Sequence, residues 1–500
     1  MNTSLRYVAI LGLSLAQTGC YQLGSEIPLP ASYADAVHFI GAPAISNPLP
    51  EVAIPAHPFM APQGMNGMHS DSYVSQTYPW AGPLGVNPQV DSASFGLLGG
   101  ECATVTFDSQ GRLMTVCTDF FNMRLVLLDP NNLNILATHN LPLRESNKTL
   151  NIEKILNDSS GGAYFHLDNN NRPIIANAAR HIQIFSVNEG VNGPTWQIDE
   201  DFDLNPFLPA GSRVTNAIPD WNGNIWFATR LGVVGVVNPG SGEVKTITLA
   251  GEEVQNATAV AENGVFIVSD HALYRFQTNA TTGNPEYTWR EVYDRGTAPK
   301  PGAINQGSGT TPTLLGNDLV AITDNADGRV NIVVYQRGNT ITGDRTVCTI
   351  PIFQEGLSVT ENSLIGYDHS LVVENNFGYT TPFANPWTES GLTRIDIRPD
   401  LSGCDVVWES SEASQTTVPK LSIGNGLIYL YTREEQPDPN VEAWYFTAVD
   451  FRTGETQFKI LTGTGRNWNN NWAPITLGQD GTAYVGVLRG IISIKDGVSP

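Results

Sequence analysis

The chain is long, acidic and sparsely charged, and these properties exclude several classes of protein. It has 500 residues, 41% hydrophobic and 15% charged, and its 27 Lys and Arg against 49 Asp and Glu give a formal net charge of −22. This charge opposes unaided binding to nucleic acid or to anionic lipid, both of which need a cationic surface. The hydrophobic fraction argues against disorder, and the length allows two or three ordinary domains or one large all-β domain.

The first residues resemble a bacterial export signal. Arg6 precedes a mainly apolar run over 7–16, which is too short to span a bilayer but suits the core of a signal peptide. The cysteine that follows, Cys20, resembles the acylated cysteine of lipoprotein signals, although Gln17 stands where such signals prefer Leu. We expect residues 1–20 to be a signal peptide and Cys20 to carry a lipid anchor, with plain secretion as the alternative.

The residue after this cysteine bears on the final location. Tyr21 stands there rather than Asp, and similarity to lipoproteins then favours the outer membrane over retention at the inner membrane. No later segment reaches about 18 uninterrupted apolar residues, so no spanning helix is predicted. The sequence therefore predicts a periplasmic or cell-envelope protein that contacts the membrane through its lipid only. If the protein is secreted instead, we expect no contact with the membrane.

The cysteines support an oxidising compartment. The chain has five, and four remain once the lipidated cysteine is set aside. Cys102 and Cys117 flank the predicted turn over 108–111, and pairing Asp108 with Gly111 places the two cysteines opposite each other across one hairpin. Cys348 and Cys404 remain as a plausible second pair. The sequence has no C-x-x-C, so it lacks the motifs of zinc ribbons, thioredoxins and c-type haem attachment.

A strand–turn–strand unit recurs along most of the chain. Residues 21–100 are rich in Pro, Ala, Ser and Gly, and we interpret them as a tether and an irregular arm. Over 101–498, short β-branched runs alternate with polar turns in eight copies of about 50 residues, a spacing typical of propeller blades. The prediction is an all-β, eight-bladed β-propeller, with seven blades or two stacked β-sandwiches as the alternatives.

The last copy of the unit is incomplete. It stops after its third strand, and a ring with an unfinished blade would expose a sheet edge. We therefore predict that a segment within 80–100 supplies the missing strand.

The repeats resemble those of quinoprotein-type eight-bladed propellers. In that family the third strand runs into an Asp-containing turn with Gly, as residues 449–455 do well and 237–243 in part. The tryptophan that follows the Gly in the quinone-binding enzymes is missing from both. The family includes pyrroloquinoline quinone (PQQ) dehydrogenases and non-enzymatic lipoproteins of outer-membrane barrel assembly. The resemblance thus implies a propeller fold, but it leaves the function open.

Candidate site residues lie where second strands turn into third strands, because these corners gather around the channel on one face of a propeller. Each blade places at least one charged residue there, and charges resist burial unless they are paired. The alternatives are a solvated rim of ion pairs between blades and a polar ligand site at the channel mouth. The predicted ligand-binding residues are Asp119, Arg180, Arg230, Asp270, Asp324, Glu374, Arg433, Arg489 and, in the loop that leads into blade 8, Trp472.

Two kinds of chemistry are compatible with the acidic corners. Calcium takes carboxylate and amide oxygens, and the oxygens available lie on Asp324, Asn325, Asp327, Glu374 and Asn375. Alternatively, Asp270 and the adjacent His271 form an acid–base pair, which would make them the catalytic candidates. The sequence lacks the usual nucleophile-elbow, P-loop and zinc-protease motifs.

The arm has a cluster of soft ligands. Met60, Met65 and Met68 lie close to His57 and His69, and thioether with imidazole suits copper. The alternative, which we favour, is an arm that packs its methionines into the propeller.

An insertion in the sixth copy is predicted to cover the same face as the corners. It spans 377–390 and includes Tyr379, Phe383 and Trp387, and it is either a lid or a surface flap. Taken together, the sequence predicts a monomeric extracytoplasmic propeller lipoprotein that binds a small molecule or a protein on its charged face, without chemistry of its own. The alternatives are a PQQ- and calcium-dependent oxidoreductase and a metal-centred propeller hydrolase or lyase.

Overall fold

Eight antiparallel sheets arranged in a ring make up the fold. The computed structural model describes residues 23–96, 100–149, 151, 154–155, 158–382 and 387–498. The predicted signal peptide, Cys20 and Phe383 lie outside these residues. The eight sheets confirm the predicted all-β, eight-bladed propeller and rule out both the seven-bladed ring and the stacked sandwiches. Among the described residues, no helix is long and apolar enough to cross a membrane.

Each blade takes its strands from one copy of the repeat, with additions from the arm. The arm contains α1 (Ser32–Asp35), β1 (Phe39–Gly41), β2 (Thr77–Tyr78) and β3 (Gln89–Ser94). Blade 1 contains β4 (Glu101–Phe107), β5 (Leu113–Thr118), β6 (Met123–Leu128) and β7 (Ile135–Leu141), and α2 (Glu145–Lys148) follows it. Blade 2 contains β8 (Phe165–Leu167), β9 (Pro173–Ala176), β10 (His181–Gly190) and β11 (Gly193–Asp203). Blade 3 contains β12 (Val214–Pro219), β13 (Ile225–Thr229), β14 (Val233–Val237) and β15 (Val244–Thr248).

The second half of the chain repeats the arrangement. Blade 4 contains β16 (Ala259–Ala261), β17 (Gly264–Val268), β18 (Ala272–Thr278) and β19 (Pro285–Val292). Blade 5 contains β20 (Thr313–Leu315), β21 (Leu319–Thr323), β22 (Asn331–Gln336) and β23 (Thr346–Pro351). Blade 6 contains β24 (Ile365–Tyr367), β25 (Ser370–Glu374), β26 (Leu392–Ile397) and β27 (Cys404–Ser410). Blade 7 contains β28 (Lys420–Ser422), β29 (Leu427–Glu434), β30 (Ala443–Asp450) and β31 (Thr456–Thr464). Blade 8 contains β32 (Ile475–Leu477), β33 (Ala483–Val487) and β34 (Gly490–Lys495).

Burial of the strands explains why these runs associate. The second strands are apolar on both faces, since neighbouring blades cover them on either side; all five residues of Ile225–Thr229 and of Leu319–Thr323 are buried. The fourth strands alternate between exposed and partly buried residues, as in Val244–Thr248, because only one of their faces packs inward. The core is therefore a set of apolar layers between blades, and the polar channel lies inside the first strands.

The arm completes the ring. β3, which lies within the segment from which the closing strand is predicted, pairs antiparallel with β34 over Gln89–Ser94 and becomes the fourth strand of blade 8. β1 adds a fifth antiparallel strand outside β31 of blade 7. β2 pairs parallel with β28 on the inner side of the same blade. The outer side of β34 in blade 8 is thus paired, which removes the exposed edge that an incomplete blade would leave.

The two predicted disulfides are both present. Cys102 and Cys117 face each other across β4 and β5, and Cys348 and Cys404 link blade 5 to blade 6. The register at the turn differs from the prediction, because the Asp108 N–H donates to the backbone oxygen of Arg112, so that Asp108 pairs with Arg112 rather than with Gly111. A bulge between Cys102 and Val105 absorbs the extra residue and returns the two cysteines to opposite positions.

Residues 60–78, which we call the plug, fill the channel. Backbone N–H groups of the first strands of blades 4 to 7 donate to plug carbonyls at 2.8–3.0 Å. The buried Lys420 ammonium group also donates to the backbone oxygen of Met68 and to Gln76 Oε1. Val74 has a φ of 59°, a left-handed conformation that a β-branched residue rarely adopts, so the surrounding bonds hold a strained backbone in place.

Candidate functional site

A cavity of about 420 Å³ lies on the channel axis above the plug. Seven of the eight blades contribute to its walls, mostly through the loops that lead into their first strands, and Met68 and His69 of the plug form its floor. Arg466 and Asn467 on the blade 8 side are exposed to solvent. Loops that lead into first strands and the corners between second and third strands share one face, so this cavity occupies the face on which the sequence predicted a site.

One wall of the cavity centres on the Glu361 carboxylate. Gln255 Nε2 donates to Glu361 Oε2, and the backbone N–H of Ile304 donates to Oε1, both at 2.9 Å. Burial raises the pKa of Glu361 to about 7, against a smaller opposite effect of these two bonds. Tyr164 lines the same cavity, and its ring stacks on that of His69 with centroids 5.8 Å apart.

A second wall joins Glu101 to the insertion of blade 6. The backbone N–H of Asn471 donates to Glu101 Oε1 at 2.7 Å, and the Tyr379 hydroxyl donates to Asn471 Oδ1 at 2.7 Å. Burial raises the pKa of Glu101 well above its ordinary value. The Tyr379 ring also meets Trp472 edge-on, with centroids 5.3 Å apart. The described part of the insertion therefore lies over the loop that leads into blade 8.

Three of the predicted ligand-binding residues line the cavity. Asp119 and Arg489 come from the corners of blades 1 and 8, and Trp472 comes from the loop before blade 8. Trp472 has a φ of 67°, a strained conformation for a bulky side chain and one that often marks a functional position. Asp119 is oriented by Asn122, which donates to both of its oxygens at 3.0 and 3.1 Å.

Arg230, Asp270 and His271 are held in ion pairs at the corners of blades 3 and 4. Arg230 Nε donates to Glu253 Oε2 at 3.1 Å. Asp270 accepts bonds from Arg295 Nη2 and from His271 Nδ1, each at 2.8 Å. Arg295 Nη1 donates to His271 Nε2 at 2.7 Å, so both ring nitrogens have a partner. This part of the face matches the ion-paired rim, and a catalytic role for Asp270 and His271 stays a prediction.

The two other arginines of the predicted set also make local contacts. Arg180 Nη1 donates to the backbone oxygen of Pro209 at 3.3 Å. The guanidinium of Arg433 lies 4.1 Å from the ring centroid of Trp387, a cation–π contact between blade 7 and the insertion of blade 6. Neither arginine is among the residues that line the cavity.

Most of the side chains predicted for calcium are bonded to their own loop or to the loop before blade 5, whereas Asn325 Oδ1 has no partner within the described residues. Asp324 Oδ1 accepts from the backbone N–H of Asn331 at 2.7 Å, and Asp324 Oδ2 accepts from Asn331 Nδ2 at 2.6 Å. Asp327 Oδ1 accepts from the backbone N–H of Thr297 at 3.0 Å. Asn325 donates through Nδ2 to a backbone oxygen at 3.1 Å. These side chains shape the corner of blade 5.

Glu374 and Asn375 serve the same purpose in blade 6. The side-chain amides of Asn362 and Asn376 donate to Glu374 Oε1. Asn375 Oδ1 accepts from the backbone N–H groups of Val359 and Phe377. Within the part of the chain that the structure describes, no three His, Cys, Asp or Glu side chains form a group that could hold a metal ion. The structure therefore does not gather Asp324, Asp327 and Glu374 into one ligand set, and we derive no step through calcium.

The methionines of the arm are distributed over different parts of the core. Met60 packs into the apolar layer between blades 3 and 4. Met65 packs against the apolar side chains of blades 8, 1 and 2, and Met68 borders the cavity. His57 packs against a tryptophan ring 3.9 Å away, and His69 bonds to a buried glutamine through Nδ1 at 2.6 Å. The packing matches the structural alternative, and copper binding stays a prediction.

The cavity also allows a test of PQQ. This cofactor carries three carboxylates. The cavity lining combines two buried carboxyl groups, Glu101 and Glu361, with three arginines, Arg144, Arg466 and Arg489. PQQ binding therefore stays a prediction, and we derive no step through it.

Four residues that line the cavity are not among those predicted from the sequence, namely Glu101, Tyr164, Gln255 and Glu361. Gln255 and Glu361 precede first strands, and Tyr164 stands next to β8, in the same relative position as the Asn- and Trp-rich loop that was recognised before blade 8. Polar and aromatic residues directly before each first strand were therefore the available signal.

Comparisons with known proteins give no function. No protein-family model matches the chain. An uncharacterized protein of Archaeoglobus fulgidus is 23% identical over 325 residues, which are 58% of this chain. The match covers 62% of that relative, so this chain spans about three fifths of the relative's length.

Solved structures resemble the chain at the level of the fold. A streptogramin B lyase structure matches with a TM-score of 0.40 and 12% identity, covering 82% of this chain and 98% of the lyase. BamB from Moraxella catarrhalis matches with a TM-score of 0.34 and 12% identity, covering 64% of this chain and 89% of BamB. The WD40 domain of Sif2 matches with a TM-score of 0.46 and 9% identity, covering 80% of this chain and 97% of that domain. Because the identities and TM-scores are this low, we base no argument on these matches.

Proposed function

We propose that this protein is an exported β-propeller that binds a small organic molecule in its axial cavity. The observation that carries the proposal is the cavity of about 420 Å³, which is within the size range of ligand sites in proteins. Its walls combine aromatic rings with side-chain amides and carboxylates, and the plug closes its floor, so a ligand would enter from one face.

The proposal includes an extracytoplasmic location with a lipid anchor on Cys20. Two disulfides support the location, because such bonds persist in oxidising compartments. A Cys20→Ser variant tests the anchor; it should leave the membrane fraction, whereas an unchanged distribution would refute lipidation.

A cavity-filling substitution tests the binding site. Ala163 lines the cavity beside Tyr164, and a tryptophan there would occupy the volume, whereas Ala280 lies exposed in a turn of blade 4 and provides a matched control. Saturation-transfer NMR would use three aromatic probes of one size: 2-phenylethylammonium, 2-phenylethanol and phenylacetate. At least one should show transfer with the wild type and with Ala280→Trp, but not with Ala163→Trp. Transfer from no probe, or transfer that survives Ala163→Trp, would refute binding in this cavity.

A further inference from the structure

The polar groups around Glu361 have an excess of hydrogen-bond acceptors. Gln255 is only 5% exposed, and it directs its N–H at Glu361. Its own carbonyl oxygen, Oε1, has no partner within the described residues. A buried acceptor without a donor is unfavourable unless a water or a ligand supplies the donor. The wall therefore favours a ligand that donates hydrogen bonds.

The protein compensates the charge at this wall only weakly. The Arg230 guanidinium lowers the pKa of Glu361, but its effect is smaller than those of burial and of the two hydrogen bonds. His69 does not supply a positive charge, because burial and the nearby Lys420 hold its pKa well below the ordinary value. The other arginines that line the cavity are Arg144, which donates to the backbone oxygen of Asp158 and to Asn147 between blades 1 and 2, and Arg466 and Arg489 on the blade 8 side.

An aromatic ring lines the same cavity within electrostatic reach of the carboxylate. The Tyr164 ring lines the cavity. Burial and the Glu361 carboxylate raise the pKa of the Tyr164 hydroxyl to about 12, so this hydroxyl stays protonated at neutral pH. Ring faces attract cations, and desolvation strengthens this attraction. The net charge of −22 adds a long-range preference for cations over anions.

We propose that the cavity binds a protonated primary amine, with its ammonium group held by the Glu361 carboxylate and the Gln255 carbonyl oxygen, beside the Tyr164 ring. The three N–H donors of the ammonium group satisfy the unpartnered acceptor and neutralise the carboxylate. An alcohol brings one donor and no charge, and a quaternary ammonium brings charge without donors. This inference rests on the proposed function and names its ligand class.

The test compares dissociation constants for 2-phenylethylammonium, 2-phenylethanol and phenylacetate by isothermal titration calorimetry. The variants are Glu361→Gln and the matched control Glu435→Gln, whose side chain is exposed on blade 7. The wild type and the control should bind the amine at least about tenfold more tightly than the alcohol, as expected of a charge-assisted hydrogen bond. Glu361→Gln should lose this preference and retain its affinity for the alcohol, which also shows that the variant is folded.

The other outcomes separate the two proposals. Tighter or equal binding of the alcohol or of phenylacetate by the wild type would overturn the amine assignment and leave cavity binding in place. An unchanged amine preference in Glu361→Gln would overturn the role of this carboxylate. If none of the three probes binds the wild type, both the amine assignment and the proposed function fail.

Discussion

The buried Glu374 carboxylate should make the propeller less stable as the pH rises. Its side chain is 1% exposed, and burial raises its pKa to about 8 from an ordinary value of 4.5, against smaller opposite effects of the bonds from Asn362 and Asn376. The folded state therefore keeps the proton up to about pH 8, whereas the unfolded chain releases it above about pH 4.5. Unfolding releases a proton within this window, so increasing pH favours the unfolded state.

The size of the effect follows from the two pKa values. Each pH unit between them changes the free energy of unfolding by at most about 1.4 kcal/mol. Integration from about pH 5 to about pH 8 gives a loss of roughly 3 kcal/mol from this one group. A Glu374→Gln variant keeps an oxygen for the two asparagine amides and carries no proton to lose. It should therefore gain roughly 3 kcal/mol relative to the wild type over the same interval.

Guanidinium unfolding followed by tryptophan fluorescence at the two pH values measures this difference. Groups that titrate in both proteins cancel in the comparison, and Glu435→Gln, at an exposed position, is the control that should follow the wild type. Equal pH dependence of the wild type and Glu374→Gln would refute the assignment of a raised pKa to this residue.

Two further predictions concern the closure of the ring. Replacing Cys348 and Cys404 by serine removes a disulfide that closes a loop of 56 residues between blades 5 and 6, and the free energy of unfolding should fall by about 4 kcal/mol. Replacing Cys102 and Cys117, which close a loop of 15 residues within blade 1, should lower it by about 3 kcal/mol. The reverse order in denaturant unfolding would contradict this prediction. Ala93→Asp places an unpaired carboxylate in β3 at a position that is 1% exposed, and it should lower the free energy of unfolding by about 3 kcal/mol or more. Asp91→Ala, at an exposed position of the same strand, should change the free energy of unfolding by less than about 0.5 kcal/mol. Similar midpoints for these two variants would show that β3 is dispensable.

The repeat was readable from the sequence because each blade buries the same apolar runs. Five-residue apolar segments such as Leu319–Thr323 and polar turns between them recur in every copy, and local pattern is sufficient to identify them. The turn of blade 1 shows the limit of this reasoning. A bulge near Cys102 shifts the pairing by one residue, and alternation of polar and apolar residues does not encode where a bulge will fall.

The plug could not be predicted in the same way. Residues 60–78 have no strand or helix periodicity, and many of their backbone hydrogen bonds are made to first strands of distant blades. Its buried polar residues, such as Ser70 and Gln76, resemble an exposed loop in sequence. Only long-range contacts distinguish them from a tether, so the arm was recognised but its place in the channel was not.

The site was predicted in part for a related reason. The corners between second and third strands lie on the same face as the cavity. A charged residue at a corner can either line a ligand site or form an ion pair with a neighbour, as Asp270 does with Arg295. What distinguishes the buried carboxyl groups of the cavity is desolvation that outweighs their hydrogen bonds and the nearby charges, as at Glu361 and Glu101. That property depends on which loops converge above the plug, and a single sequence does not specify such convergence.

The arm links ligand binding to the integrity of the ring. The same segment that closes blade 8 through β3 also provides the cavity floor through Met68 and His69. A ring that opens at blade 8 would release the arm at its closing strand, and the floor would lose an anchor on that side. Since Trp472 and Arg489 belong to blade 8 and Glu101 to the adjacent blade 1, their relative positions depend on this closure as well. Ligand binding should therefore stabilise the closed ring, and substitutions that weaken β3 should reduce affinity even though β3 does not contact the ligand.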